Sequence, residues 1–355
     1  MRSRIATFAV ATATAAAATA TFAGVALADP PASHTPALTD ISGVGSDTTQ
    51  FVMNDVTTGP GGWDSQIPAP ANYVDSFDAV NPTTGVVGDT ITTKPGCSFA
   101  RPDGSSAGIT SLINDQKSTV DGTADCVDYA RSTRMRQGSD PASIGFLPFA
   151  QDSLKYATSH PTPSFPTVRA TNAPQTLTAA NLATIYSCGT TGTISHWTDF
   201  TGGTSTDAVQ ALIPQGGSGS GTRTFFESSI GVTDTTIVAG INSGCLLQVK
   251  ANDPAPIRAS ADAIAPFSVP QFNSVGKDAG IQLDDFGFSA DRILYNVVRL
   301  NASGALANQN LVPFFGDGTP TNTAFICTTA AQNIIDNTDG FSPITLPGHT
   351  CGVSE

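Results

Sequence analysis

The chain has 355 residues, of which 39% are apolar and 13% charged, with 34 Gly and 24 Pro. A near-normal apolar fraction excludes wholesale disorder, and a formal net charge of −13 speaks against nucleic-acid binding and a polybasic membrane anchor. The length calls for two domains or one large one.

Arg2 and Arg4 open the chain, an Ala/Thr-rich uncharged stretch follows to Phe22, and Ala26-Leu27-Ala28 precedes Asp29-Pro30-Pro31. A charged start, an uncharged middle and a small-x-small end predict a signal peptide over 1–28 and an exported chain, secreted or periplasmic. No Cys stands at the cleavage point, so no lipid anchor is expected. Residues 29–38 read as a Pro-rich leader.

Six cysteines, Cys97, Cys126, Cys188, Cys245, Cys327 and Cys351, suit an oxidising compartment and read as disulfides. Nearest spacing favours 97–126, 188–245 and 327–351, one of 15 possible connectivities. No C-x-x-C occurs and the four His (His34, His160, His196, His349) are scattered, so neither a metal site nor a cofactor is expected.

A strand–turn–helix unit then recurs. Leu38–Ile41 reads as a strand, Ser42–Asp47 as a Gly/Ser turn and Thr48–Val56 as a helix. The stretch 59–90 has no clear period. Gly96–Ala100 is a strand, Pro102–Ser106 a turn and Ala107–Gln116 a helix. Cys126–Ala130 is a short strand ending at Arg131-Ser132-Thr133-Arg134. Ile144–Ala150 is an apolar strand and Thr178–Ser187 a capped helix. Val209–Pro214 is a strand running into Gly216–Thr222, and Arg223–Ile230 is a helix with Thr224…Glu227 at capping-box spacing. Ile264–Phe272 looks extended, Asp291–Leu300 fits strand or helix, and Thr323–Asn337 holds a last helix. Alternating strands and helices predict an α/β protein with mainly parallel sheets.

The Gly-, Ser- and Thr-rich turns carry the chemistry. A helix N-terminus exposes unpaired N–H groups and a partial positive charge, glycine lets backbone approach an anion, and hydroxyls add donors. Four such turns could surround an oxyanion with few cationic side chains. Each taken singly is also an ordinary capped turn, and the Arg131–Arg136 run is also an ordinary surface patch. Gly216–Thr222 lacks the Lys of a phosphate loop and the partner residues of a nucleophile elbow.

In their order, Gly43-Val44-Gly45, Gly104-Ser105-Ser106-Ala107-Gly108, the strand ending at Ser132, and Ser218–Phe226 resemble the phosphate-binding proteins of the high-affinity phosphate ABC transporter. The likeness runs from residue 40 to about 272. It implies a two-lobe, type 2 periplasmic-binding-protein-like α/β fold, each lobe a mainly parallel sheet flanked by helices, with two crossing strands as hinge. Residues 39–146 plus 268–355 would form lobe I and 147–267 lobe II, with crossings near Gly145–Ala150 and Ala265–Gln271. The implied ligand-binding residues are Asp47, Thr48, Ser105, Ser106, Ser132, Thr133, Ser220, Gly221 and Thr222. The family's proton-accepting Asp falls at Thr133 and its Arg at Gly216; independently of the alignment, Asp47 is a candidate replacement for the acceptor and Arg131 or Arg134 for the guanidinium. The implied function is a monomeric, non-enzymatic solute-binding protein that captures a small oxyanion, phosphate first, and serves an ABC transporter permease. An extracellular phosphomonoesterase and an interaction protein that has lost the ligand stay open as alternatives.

Overall fold

The computed structural model describes residues 29–30, 34–114, 116–216, 219–284, 286–320 and 323–355. The expected signal peptide, and Gly217 and Ser218 of the glycine-rich loop, lie outside them. The first group of elements is β1 (Ile41–Gly45), α1 (Gln50–Thr58), β2 (Val74–Ser76), the hairpin β3 (Thr90–Lys94) and β4 (Cys97–Ala100), α2 (Ser105–Ile113) and β5 (Tyr129–Ser132). The long β6 (Ile144–Ser159) leads to α3 (Ala179–Tyr186), α4 (Cys188–Thr191), β7 (Gln210–Pro214), α5 (Gly221–Ile230), α6 (Asp234–Ser243), β8 (Leu246–Val249), α7 (Pro254–Arg258) and β9 (Ala263–Ser268). The chain ends through α8 (Val269–Gln271), β10 (Ile281–Leu283), β11 (Ala290–Arg299), α9 (Val312–Phe315) and α10 (Thr329–Asn337).

The α/β composition matches expectation, but the sheet does not divide into two parallel ones. A single nine-stranded sheet runs β2-β1-β5-β11-β6-β9-β7-β8, with β10 on the side of β6. Parallel pairing holds at its two ends, β2-β1-β5 and β9-β7-β8. The middle is antiparallel: β5 with β11, β11 with β6, and β6 with β9. The reason is the length of β6. Sixteen residues, at about 3.3 Å each, reach across both parallel groups, so the first part pairs with β11 and the last part with β9.

Successive strand residues feed opposite faces of this sheet. Tyr129 and Leu147 join a core with Val52, Met53 and Phe314, while Ala130 and Phe146 join one with Val44, Ile109 and Leu112. At the other end Ile213 and Ile264 pack with Tyr186, Trp197 and Phe226, while Leu212 and Ala265 pack with Ile257 and Phe267. Both faces are covered, which is why apolar residues stand at successive positions such as Phe146-Leu147 and Leu212-Ile213. Residues Ala265–Gln271, read as a crossing, comprise most of β9 and α8; beyond them Phe272, Ile281 and Leu283 pack with Ile257 and Phe267, and β11 returns to β5.

Several boundaries differ for local reasons. The extended stretch at 264–272 ends at Ser268, whose hydroxyl caps the backbone N–H of Gln271 ahead of Pro270. Asp291–Leu300 is strand. The expected Thr224…Glu227 capping box is absent: Ser220 is the N-cap of α5, and Glu227 takes the Arg223 guanidinium at 2.7 Å instead. Thr178 does cap α3, reciprocally with Asn181. In the stretch read as a Pro-rich leader, Asp29 holds Arg101 through two contacts of 2.7 and 2.8 Å.

The three disulfides pair as nearest spacing favours, with Cα separations of 5.2, 6.3 and 5.7 Å, and they fit an oxidising compartment. Among the described residues, no helix is long and apolar enough to cross a membrane. Non-reducing peptide mapping of the purified chain should recover these three bridges and no bridge linking Cys188 or Cys245 to the other four cysteines.

Just past α10, the Asp339 carboxyl interacts with Asp55 of α1, and together they favour holding a proton. Burial and the Asp55 carboxylate push Asp339 up to about 8, and burial raises Asp55 as well. A folded-state pKa above the unfolded one means that the folded chain binds the extra proton. Stability therefore falls as the pH rises from about 4 to about 8. Asp339→Asn should remove this loss and gain roughly 1 kcal/mol at pH 8 relative to pH 5, read from urea midpoints; parallel pH profiles for the two proteins would refute the shared proton.

Candidate functional site

The sheet brings the turns together at the C-terminal ends of its parallel strands. The turn after β1 carries Asp47 and Thr48 into α1, Gly104–Ser106 opens α2, Ser132–Arg134 follows β5, and Ser220–Thr222 opens α5. Close approach depends on Gly221. A Cβ there would lie 2.2 Å from Thr133 Oγ1 and 2.5 Å from Ser105 Oγ, so any side chain would push α5 away from α2 and β5. Gly108 does the same for α2, where a Cβ would sit 2.6 Å from the Gly45 Cα.

Two hydroxyl pairs face each other at this junction. Thr48 Oγ1 and Thr222 Oγ1 are 3.2 Å apart, as are Ser105 Oγ and Thr133 Oγ1. Ser105 Oγ also accepts the backbone N–H of Thr133 at 3.0 Å. Each pair contains two hydroxyl hydrogens and uses one in its mutual bond, so one hydrogen per pair is left without an acceptor among the described residues. Thr49, the N-cap residue of α1, has a buried hydroxyl with no partner. Neither α1 nor α2 is capped by a side chain, which leaves first-turn N–H groups as donors, apart from that of Gln50, which the Asp47 carbonyl accepts at 3.3 Å.

The pair Thr48–Thr222 belongs to a ring that sequence reading missed. Arg292 on β11 donates to Thr222 Oγ1 at 3.2 Å and, through Nε, to Asp152 Oδ2 on β6 at 2.8 Å. Ser268 Oγ donates to the other Asp152 oxygen at 2.8 Å. Asn252 accepts the Ser268 N–H at 3.0 Å and donates to Thr48 Oγ1 at 3.3 Å, closing the ring. Gln271 adds a bond from its side-chain amide to the Thr48 carbonyl at 2.8 Å. Asn252 holds a left-handed backbone, φ 54°, a conformation Asn tolerates better than most residues. The Arg292 guanidinium also lies over the Phe225 ring, 5.5 Å from its centroid. Burial raises the Asp152 carboxyl, against the opposing pull of Arg292.

The other expected residues lie around this centre. Arg131 is buried and donates to the carbonyls of Gly45 and Ser46 and to Ser76 Oγ. Arg134 makes a two-pronged bond to Asp140, both arms 2.8 Å, and a third to Ser106 Oγ. Ser132 is engaged at home, donating to the Arg134 carbonyl and accepting its N–H. Ser220 caps α5 through the Arg223 N–H. Arg292, and neither Arg131 nor Arg134, is thus the guanidinium in contact with the hydroxyl pairs.

Asp47 stands at the mouth, together with Asp103, Gly104, Ser220 and Lys250, around a space of about 20 Å³, room for about one water molecule. Burial raises the Asp47 carboxyl while Lys250 pulls it down. Burial, with Asp47 adding to it, pushes Asp103 up to about 6. The turns are therefore in contact, and a polyatomic ligand enters only if they part.

No protein-family model matches the chain, and no curated protein matches it by sequence. Solved structures do match in fold. A putative phosphate ABC transporter substrate-binding protein from Clostridium perfringens, with bound phosphate, aligns at a TM-score of 0.56 and 15% identity, covering 86% of this chain and 100% of that one. An ABC-type phosphate transport receptor from Vibrio cholerae aligns at a TM-score of 0.53 and 17% identity, with the same two coverages. At these identities the likeness is one of fold.

Proposed function

We propose that this chain is an exported, non-enzymatic solute-binding protein that closes two lobes around a small oxyanion, phosphate first, and passes it to an ABC transporter permease. The observation that carries this reading is the pair of unassigned hydroxyl hydrogens, at Thr48/Thr222 and Ser105/Thr133, set beside two helix N-termini without side-chain caps and the Arg292 guanidinium. An acceptor-only ligand suits such donors, and an anion suits helix N-termini. The fold neighbours, a phosphate transport receptor and a protein with bound phosphate, favour phosphate among oxyanions. In this reading the two lobes are the halves of the sheet on either side of the β6–β11 pair, and opening parts the α5 turn from α1, α2 and β5.

One observation favours a second reading, a protein that keeps this fold without an anion: the hydroxyls already bond each other, and Asp152 already neutralises Arg292. Calorimetry with phosphate, sulfate and organic phosphates separates the two. If binding occurs, saturating phosphate should raise the melting temperature by mass action and change the small-angle scattering radius as the lobes rearrange. No heat and no thermal shift with any of the anions would leave the second reading.

Thr222→Val and Ser105→Ala should each weaken phosphate binding by roughly tenfold or more, the loss of one donor to a charged group at about 1.5–3 kcal/mol. Each also strands an internal partner, Arg292 Nη1 or the Thr133 N–H, so a fall in melting temperature without ligand is expected as well. A fall in stability with unchanged affinity would reduce both hydroxyls to scaffold.

Asp47→Asn tests proton reading. A carboxylate welcomes hydrogen phosphate, which can donate a proton, and repels sulfate, which cannot. The variant should shift the ratio of sulfate to phosphate affinity upward by about tenfold. An unchanged ratio would place Asp47 outside the anion's contacts.

A further inference from the structure

Away from the cleft, the edge of the sheet gathers an unusual set of side chains. β2 is the edge strand, and its Asp75 pairs in register with Ser42 of β1. Asp75 has an exposure of 0%, and neither of its carboxylate oxygens has a hydrogen-bond partner. Asp40, just before β1, is also buried. His34 lies over both: its Nε2 is 2.9 Å from Asp40 Oδ2 and 3.7 Å from Asp75 Oδ2. The His34 ring packs against Tyr73, centroids 4.3 Å apart, which helps to fix its orientation.

A buried carboxylate without donors is among the costliest arrangements in a protein unless a cation is close. The lysine nearest in influence, Lys94, has its ammonium on Asp128 at 2.6 Å. The Asp40 and Asp64 carboxylates add to the negative charge near it rather than offsetting it. Three other polar groups at this edge are matched: the Asp75 carbonyl accepts the Tyr129 hydroxyl, Asp40 accepts the Ala37 N–H, and Asp64 accepts the Val74 N–H.

We propose that His34, Asp40 and Asp75 form a binding site for a divalent transition-metal ion, best suited to Zn²⁺. One ligating atom from each residue lies within 4.8 Å of the others. Zn²⁺ binds imidazole nitrogen and carboxylate oxygen at about 2.0–2.2 Å in tetrahedral geometry, so small side-chain rotations bring all three into range and leave one position for water. Two carboxylates balance the ion's charge. Ca²⁺ takes six to eight oxygen ligands and Mg²⁺ keeps most of its waters, so a nitrogen-containing set of three disfavours both. The bound ion would tie the segment 34–40 to the β1–β2 edge, close to where Asp29 ties the same leader to Arg101.

The test uses the full chain without a histidine tag, stripped with chelator and titrated with Zn²⁺ by calorimetry and native mass spectrometry. One equivalent should bind, raise the melting temperature and slow amide exchange over residues 34–41. His34→Ala and Asp75→Asn should each weaken Zn²⁺ binding by about 100-fold or more, while His196→Ala, an exposed histidine elsewhere, should not change it. His34 lies outside the sheet, so its variant serves even if Asp75→Asn does not fold. No Zn²⁺ bound at micromolar concentrations, or unaltered binding by both variants, would overturn the site. A more stable Asp75→Asn beside a parent that ignores Zn²⁺ would overturn it too, and would identify Asp75 as a buried neutral acid.

Discussion

The buried ion pair between Arg292 and Asp152 holds the architecture and the cleft together. The two residues sit opposite each other in the β11–β6 register, next to the point where β6 begins to pair with β9 at Leu154 and Ser268. A pair taken out of water is favourable only if its remaining hydrogen-bonding capacity is met, and here Ser268 and Thr222 meet part of it. That requirement ties three central strands to the N-terminus of α5. It also separates fixed contacts from breakable ones. Arg292, Asp152 and Ser268 are bound within paired strands. Thr48 is reached from Thr222, Asn252 and Gln271 by side-chain bonds alone. Separation of the α1 turn from α5, Asn252 and Gln271 would break those three bonds and leave the ion pair intact.

The turns were legible because their signals are local. Gly and Ser at strand ends, followed by helical sequence, mark strand-to-helix junctions, and the structure brings the junctions at Thr48, Ser105, Thr133 and Thr222 into contact. The ring behind them was not legible. Asp152 and Arg292 lie 140 residues apart and meet only through strand register. Gln151-Asp152-Ser153 also interrupted the apolar run that read as a strand over 144–150, although β6 continues to Ser159. The polar break that hid the strand's second half is the polar centre of the site. Arg131 and Arg134 show the opposite side of this limit: a cluster of arginines in an acidic chain suggests an anion, and here these two are bound to carbonyls, Ser76, Ser106 and Asp140.

Sheet organisation illustrates the same limit. Parallel pairing follows from strand–helix alternation, and both ends of the sheet obey it. The antiparallel middle arises from one sixteen-residue strand, whose length was hidden by its polar centre. Disulfides were legible from spacing because each joins neighbours within one region of the chain. His34, Asp40 and Asp75 were not, because they share no local spacing and only the β1–β2 pairing sets Asp75 beside the residue that precedes β1.

A strongly acidic chain that takes up an anion must do so through short-range donors. Its net charge of −13 repels an anion at long range, but at physiological ionic strength that field is screened beyond about 8 Å. Inside the cleft Asp152 cancels the charge of Arg292, so the guanidinium contributes oriented N–H groups more than net positive charge. Hydroxyls and helix N-termini likewise offer dipoles without carrying a full charge. Such a site discriminates between ligands by matching each donor to a lone pair and each acceptor to a proton. With Asp47 and Asp103 as the acids among the described residues that line its mouth, and Lys250 facing them, a cleft that takes up an oxyanion in the proposed way would read the ligand's protonation state rather than its charge.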